Sequence, residues 1–484
     1  MNWLIDRPLF GSLLFTFDLI IRLWLSRRIV ARRLPAGVAW AWLSLILFIP
    51  FIGTVLYFNF GEYRQSRRRR RRLQAVRDGI DQLAQGKMPP QVHLPGDQAD
   101  LAKVFSEQMG MAPTVGNHIE LFDGAHLAFA QLIRDVDQAQ KTIDLEFYIW
   151  NDGGLADLFA DRISAAVKRG VKCRLLVDAL GSRQFIKGHK FNMLRQAGVD
   201  LVVALPSGFW RSLLARPDLR IHRKIAIIDG SIGYTGSLNL ADPKFFNLRS
   251  GCSPWVDALA RINGPVVTDL YAVFISDWCA ETGEDFNTAY SSVHIQDQTP
   301  NGKSTIQCLP SGPAVKDSAI EQALIMSLYS ARHEIILTTP YFVPSEALLY
   351  AITAAARRGV RTTLILPERI DSRLTHYASR SFLPDLIMAG VTVALYKPGL
   401  LHTKSVTIDR NFCLFGSLNL DQRSFRINFE ITVAVYDETF AQAVCAMQST
   451  YLQSATLLTS QLLNKQTKMQ VFKGDLARLV GPLL

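Results

Sequence analysis

His222-Arg-Lys224-Ile-Ala-Ile-Ile-Asp229-Gly-Ser-Ile-Gly-Tyr-Thr-Gly236-Ser237-Leu-Asn239 decides how this 484-residue chain is read, because the same frame returns later. His402-Thr-Lys404-Ser-Val-Thr-Ile-Asp409 is again followed by Gly416-Ser417-Leu-Asn419. The residues between Lys and Asp are apolar or β-branched and end in a turn signal, so each copy predicts a buried strand. Residues two apart on a strand share a face, which puts His222 beside Lys224 and His402 beside Lys404. Asp229 and Asp409 fall on the other face or in the following turn, with a supporting role in the site. The Gly-Ser-Leu-Asn segments are expected to return antiparallel, offering Asn239 and Asn419 as amide donors with Ser237 and Ser417 beside them. A single His-x-Lys reads as a half-exposed strand; two copies with one downstream tetrapeptide do not.

The duplication extends beyond the motifs. Ala166-Val-Lys-Arg-Gly-Val-Lys-Cys-Arg-Leu-Leu-Val177 matches Ala355-Ala-Arg-Arg-Gly-Val-Arg-Thr-Thr-Leu-Ile-Leu366, and Ala197-Gly-Val199 matches Ala389-Gly-Val391. Each half reads as alternating strands and helices, then the motif strand and its return. That pattern predicts an α/β fold, each half a mixed sheet flanked by helices. The halves are expected to pack as a pseudo-dimer with both motifs at the seam. The expected organisation is residues 1–62 as a membrane anchor, 63–115 as a basic segment and connector, 116–295 as the first half and 296–484 as the second.

Two imidazoles with paired lysines and asparagines suit phosphodiester exchange through a covalent histidine intermediate. One set attacks while the other handles the leaving and incoming alcohols. No His-Glu-x-x-His or Cys-x-x-Cys spacing occurs, so neither a metal nor another cofactor is expected. The six cysteines are scattered and suit small buried side chains in a reducing compartment.

Pro8–Ser26 and Val38–Phe60 are apolar stretches of 19 and 23 residues, each long enough for a hydrocarbon core of about 30 Å. Asp18 and Arg22, at i and i+4, can pair on one helical face. The first 72 residues carry thirteen arginines and no lysine against Asp6, Asp18 and Glu62, so nearly all of the net charge of +11 lies there. A nucleic-acid binder would spread that charge over its catalytic surface, so no nucleic-acid partner is expected. Arg27, Arg28, Arg32 and Arg33 precede the second stretch; Arg64 and the run Arg67–Arg72 follow it. Two full spans would put these clusters on opposite sides of a membrane, whereas a re-entrant hairpin would keep them together. Either way, the larger cluster favours a cytoplasmic site. The insertion Ser207–Arg220 mixes Phe209, Trp210, Leu213 and Leu214 with Arg211, Arg216 and Arg220, fitting a headgroup-level loop or burial against the second half. The tail Met469–Leu484 suits an interfacial or a packed helix.

The chain resembles the phospholipase D superfamily over roughly residues 118–455, and within it the bacterial cardiolipin synthases. The synthase-like phrases are Leu145-Glu-Phe-Tyr-Ile-Trp150, Thr338-Thr-Pro-Tyr-Phe-Val-Pro344 and Asn419-Leu-Asp-Gln-Arg-Ser424. The resemblance implies His222 as nucleophile and His402 as general acid and base. Lys224, Lys404, Asn239 and Asn419 would hold the non-bridging oxygens. Glu430, 28 residues after His402, and Asp257, 35 residues after His222, are the carboxylates suited to fixing the histidine tautomers, with a structural ion pair as the alternative for each. The implied enzyme is a phosphatidyltransferase of the bacterial inner membrane, taking phosphatidylglycerol amid anionic lipid and facing the cytoplasm. A hydrolytic phospholipase D, a nuclease and a non-catalytic lipid binder are the other readings.

Overall fold

The computed structural model describes residues 6–34, 36–62, 64, 66–84, 92–206, 216–291, 300–313, 318–459, 461 and 467–479. The chain forms two units, Met1–Arg68 with Ser207–Leu219, and Arg69–Pro206 with Arg220–Leu484.

The larger unit is built on one sheet of fifteen strands among the described residues. Its first half supplies β1 (Thr114–Asp123), β2 (Thr142–Phe147), β3 (Lys172–Asp178), β4 (Asp200–Ala204), β5 (Lys224–Ile228), β6 (Ile232–Gly236), β7 (Trp255–Val256) and β8 (Ala258–Asn263). The second supplies β9 (Ser304–Ser311), β10 (Glu334–Thr338), β11 (Phe342–Val343), β12 (Arg361–Pro367), β13 (Thr392–Tyr396), β14 (Leu400–Leu401), β15 (Ser405–Ile408), β16 (Phe412–Gly416), β17 (Leu420–Asp421), β18 (Glu430–Tyr436) and β19 (Ala455–Leu458). The order β1-β8-β6-β5-β2-β3-β4 is repeated by β9-β18-β16-β15-β10-β12-β13, with β19 added at the edge. β1 and β9 pair antiparallel and join the half-sheets. The pseudo-dimer therefore has one continuous sheet through its middle. β1, β8 and their counterparts flank the join in addition to the strands expected from the repeat.

β2, β3 and β4 are parallel, while β5 and β6 run antiparallel, so the sheet is mixed. The motif strand Lys224-Ile-Ala-Ile-Ile228 is buried at every residue because helices cover both faces. Helix Val266–Thr282 packs Val267, Leu270 and Phe274 on one side. Helices Ala125–Gln138 and Leu155–Lys168 bring Phe129, Leu132 and Phe159 to the other. Continuous apolar strands are what two-sided burial requires. All six cysteines are buried and unpaired.

The connector contributes to this core. Helix Gly96–Met109 packs Leu101, Phe105 and Met109 with the second half. Two arginines of the basic run are also committed: Arg69 pairs with Glu281 at 3.1 Å, and Arg72 donates to the carbonyls of Ala280 and Thr282 at 3.1 and 3.0 Å. Those carbonyls end helix Val266–Thr282, where a cation is favoured. The tail helix Lys468–Leu479 packs Ala477 into the second-half core and sets Arg478 over the Phe382 ring at 4.5 Å. Met469, Phe472, Leu476 and Leu479 remain exposed. Of the insertion Ser207–Arg220, expected as a headgroup-level loop or as buried against the second half, residues 207–215 lie outside the described residues.

In the smaller unit, the first apolar stretch lies in helix Asp6–Ala31, where Asp18 and Arg22 do pair, at 2.7 Å. The second does not form one 23-residue helix. Helix Ala36–Phe48 stops before Pro50, Phe51 takes φ 60°, and a short helix Ile52–Leu56 leads into a π-turn Tyr57–Gly61. Among the described residues, no helix is long and apolar enough to cross a membrane. The chain instead doubles back. Arg22 donates to Leu47 O at 3.2 Å and Asp18 accepts from Phe51 N at 3.3 Å, tying the turn to the middle of the long helix. Arg28 then meets Glu62 at 2.5 Å and Arg32 donates to Gly61 O at 3.0 Å, returning the strand of chain to the helix end it left.

Candidate active site

Each motif begins in a short parallel pairing with the opposite half. β14 runs beside β7, and His402 N donates to Val256 O at 2.8 Å. Ile221 bridges Phe429, and His222 N donates to Phe429 O at 2.9 Å. The residue after Val256 is Asp257 and the one after Phe429 is Glu430, so each carboxylate lies next to the other half's histidine. His222 Nδ1 is 2.8 Å from Glu430 Oε2, and His402 Nδ1 is 2.6 Å from Asp257 Oδ1. Chain distance had suggested carboxylate and histidine from the same half; the pairing is exchanged.

The serine after each motif completes a relay. Ser237 Oγ donates to Asp257 Oδ1 at 2.6 Å and accepts from Ala258 N at 3.0 Å. Ser417 Oγ donates to Glu430 Oε2 at 2.6 Å and accepts from Ile431 N at 3.0 Å. Each serine therefore holds the carboxylate of its own half, which holds the histidine of the other. β5 and β6, like β15 and β16, form the antiparallel return that brings these residues back.

Burial is the largest influence on both imidazoles, pushing His222 down to about 4 and His402 to about 3. The neighbouring lysines push in the same direction, while Glu430 and Asp257 oppose it. Burial also pushes the two carboxyls up, but His222, His402 and the lysines outweigh it and hold both below the usual carboxylate range. Near neutral pH the histidines are uncharged and the carboxylates ionised. A carboxylate only accepts hydrogen bonds, so Nδ1 carries the proton and Nε2 keeps its lone pair.

Both rings line one cavity of about 370 Å³. Asn239 and Asn419 line it too. Asn239 Oδ1 accepts from Ile149 N at 3.2 Å, while among the described residues its buried Nδ2 has no partner, which leaves an amide N–H for a ligand oxygen. Lys224 and Lys404 do not form the wall. Each is buried beneath it, with Nζ donating to the carbonyl of its own motif histidine at 2.6 and 2.5 Å. Burial lowers Lys224 to about 8 and Lys404 well below the ordinary lysine value.

Asp229 and Asp409 lie in the turn after the strand, one of the two places expected for them, but they do not line the cavity, so the supporting role expected of them in the site is a structural one. Each sits at the far end of its motif strand, at φ 51° and 48°, opening the hairpin turn. Asp229 accepts from the N–H groups of Gln140, Lys141 and Thr142, and Asp409 from those of Arg332, His333 and Glu334. They anchor the turn to the neighbouring strand, β2 or β10. Strand parity gave the face correctly but not which end of the strand meets the site.

The wall holds residues given no site role from the sequence: Tyr148, Trp255, Tyr341, Asp421, Arg423 and Asn428. Tyr148 and Tyr341 both stand in the synthase-like phrases but one place out of register, since strand pairing matches Tyr341 with Ile149 and Tyr148 with Pro340, so the repeat alone does not mark them. Tyr148 packs edge-on against His222, with ring centres 4.9 Å apart, and Trp255 lies 4.3 Å from His402.

A family model described as cardiolipin synthase, PLD-like domain, matches residues 132–278 and 324–449. Cardiolipin synthase A of Yersinia pseudotuberculosis serotype O:3 (strain YPIII) is 37% identical over 488 aligned residues, covering 100% of this chain and 99% of that protein. Cardiolipin synthase A of Escherichia fergusonii is 39% identical, covering 94% of this chain and 95% of its own. In fold, the chain is similar to phosphatidylserine synthase from Haemophilus influenzae Rd KW20, with TM-score 0.59, 15% identity, and coverage of 80% of this chain and 100% of that one.

Proposed function

The chain belongs to the cardiolipin synthase family of the phospholipase D superfamily, and on that footing we propose how its two histidines divide the reaction. It is a phosphatidyltransferase that makes cardiolipin. Phosphatidylglycerol enters, and its phosphodiester anion offsets the buried lysine charge, letting His402 take up a proton. His222 Nε2 attacks phosphorus; the P–N bond forms as the P–O bond to glycerol breaks, and His402 protonates the departing alkoxide. A second phosphatidylglycerol then gives its terminal hydroxyl proton to His402 and attacks the phosphohistidine, releasing cardiolipin and restoring His222. Asn239 and Asn419 hold the non-bridging oxygens, with Lys224 and Lys404 supplying field from below. One phosphodiester replaces another, so the reaction is reversible and water must be kept from the intermediate.

The observation that carries this reading is the pair of imidazoles, each braced at Nδ1 by a carboxylate of the opposite half and opening on one cavity. Purified protein incubated with phosphatidylglycerol alone tests it. Cardiolipin with glycerol supports the transfer; phosphatidic acid means a hydrolase; no turnover means a binding protein.

The smaller unit is the part proposed to hold the enzyme at the bacterial inner membrane, as a re-entrant hairpin with both basic clusters on the cytoplasmic side. In support, Leu14, Phe17, Trp24, Phe48 and Ile52 are exposed. The Asp18–Arg22 pair serves main-chain groups at the hairpin turn, which a hydrocarbon surrounding would otherwise leave costly. Single cysteines at Leu34 and Arg64 in sealed vesicles should label from the same side. Labelling from opposite sides would mean two spans.

A further inference from the structure

One of the places where the twofold repeat breaks on the cavity wall follows the motif asparagines. After the second motif the chain reads Asn419-Leu-Asp421, and after the first Asn239-Leu-Ala241. Asp421 is 6% exposed and lines the cavity with Asn419, Arg423 and Tyr341. Its Oδ1 accepts from Ser424 N at 2.7 Å, capping the short helix Gln422–Arg426. Among the described residues the hydrogen bonds to this carboxyl come from Ser424 alone, which leaves it able to accept from a ligand. Burial raises this carboxyl to about 6, with the Ser424 bonds opposing and Glu430 adding to the rise, so it is ionised at neutral pH.

A carboxylate repels an anionic phosphate across a low-dielectric site, and unlike Asp371 on the same wall, whose oxygens accept from Tyr341 Oη at 2.7 Å and Asn247 Nδ2 at 3.3 Å, Asp421 is bonded only by its own helix turn. It is in place opposite a hydrogen-bond donor. The phosphatidyl donor and acceptor both end in a glyceryl group, whose hydroxyls are the donors such a substrate offers. Ala241 leaves the first half without an equivalent, so the cavity has one polyol end. Resting on the reading given under Proposed function, we infer that the Asp421 carboxylate receives a hydroxyl of the substrate's polyol headgroup. It acts as a positioning residue that makes a glyceryl alcohol, rather than water, the acceptor of the phosphatidyl group. By reversibility the same place receives the departing glycerol.

The test separates the first chemical step from the choice of acceptor. A phosphatidyl p-nitrophenyl ester is given to the full-length enzyme in detergent, and p-nitrophenol release reports formation of the phosphohistidine. The ratio of phosphatidyl alcohol to phosphatidic acid is then measured with phosphatidylglycerol, free glycerol or ethanol as acceptor. Asp421→Asn and Asp421→Ser both retain a capping side chain. Each should keep p-nitrophenol release within a few-fold of the parent while lowering the transfer ratio for both glyceryl acceptors about ten- to a hundredfold, with ethanol unaffected. Unchanged ratios, or equal losses for ethanol and glycerol, would overturn the inference. So would a fall in p-nitrophenol release with ratios intact, which marks a structural role. A parent enzyme that makes no cardiolipin from phosphatidylglycerol would instead defeat the underlying reading.

Discussion

His222 and His402 make the same bonds in different surroundings. Glu430, which holds His222, is itself held on Oε1 by Asn428 at 3.1 Å, and its main-chain carbonyl accepts from Arg223 Nε at 3.0 Å. Arg223 pairs with the buried Asp277 and donates to Ser311 O at 3.2 Å. Buried Glu146 lies close by, its carboxyl pushed well above the usual range by desolvation and then by Asp277. Asp257, which holds His402, accepts from Gly124 N at its main-chain carbonyl, at 2.8 Å, and among the described residues no buried arginine pair lies beneath it. The position of Arg223 is taken by Thr403, whose hydroxyl meets Val256 O at 3.3 Å and Tyr451 at 3.2 Å, and Trp255 covers the ring. The duplication kept both relays but braced one with buried charge and the other with neutral and aromatic groups. A nucleophile that must carry a covalent phosphate and an acid–base group that must cycle a proton place different demands on their supports.

The largest expected effect comes from removing the anion while keeping the shape. Glu430→Gln and Asp257→Asn each deprive one histidine of its tautomer control, and each should lower kcat by about 10³–10⁴-fold. In single-turnover measurements, Glu430→Gln should slow formation of the phosphohistidine, and Asp257→Asn its transfer to alcohol as well as glycerol release. Equal kinetic profiles for the two would erase the proposed division of labour.

Stability should separate the halves next. Arg223→Met leaves Asp277 buried and unpaired and should cost about 3–5 kcal/mol in denaturant unfolding. Thr403→Val, at the equivalent place, should cost about 1 kcal/mol. Similar losses would show that the buried charges beneath His222 are not its distinguishing brace.

Asp229→Ala and Asp409→Ala offer a comparison expected to show no difference between halves. Each removes the acceptor for three N–H groups at a positive-φ turn and should destabilise by about 1–3 kcal/mol. The kcat of the folded fraction should stay near the parent value. A thousandfold loss of kcat with stability intact would return the aspartates to the chemistry.

The smallest effect is acid sensitivity. An unfolded histidine titrates near 6.5, whereas His222 and His402 wait until about 4 and 3. Between these values the unfolded chain binds more protons, so stability rises with pH and is lost on acidification from 6.5 toward 4. The melting temperature should fall across that window, and replacing both histidines with asparagine should flatten the slope. An unchanged slope would place the acid sensitivity in other groups.

Much of this was legible in the sequence because it is periodic or repeated. Motif spacing marked the histidines, the strand pattern of Ile225–Ile228 marked the return hairpin, and the repeat marked both half-sheets. Glu430 and Asp257 could be picked out as carboxylates near the motifs, but their exchange between halves depends on β7 meeting β14 and Ile221 meeting Phe429, which only tertiary packing sets. The aspartates of the motif were less legible for a related reason, since alternation tells faces apart and not ends. Arg69 and Arg72 read as part of a membrane-facing charge run, yet they meet a carboxylate and helix-end carbonyls distant in the chain. Asp421 stood inside a recognised phrase, and its meaning emerged only against Ala241 across the pseudo-twofold.

The most direct measurement is the site of covalent attachment. His402→Asn enzyme, unable to resolve the intermediate, is mixed with a phosphatidyl p-nitrophenyl ester labelled at phosphorus, whose leaving group needs no proton from His402, then quenched with base to preserve the P–N bond, and its peptides are mapped. The account predicts label on the His222 peptide, lost when His222 is also replaced. Label elsewhere, or none while the reverse variant His222→Asn becomes labelled at His402, would contradict it.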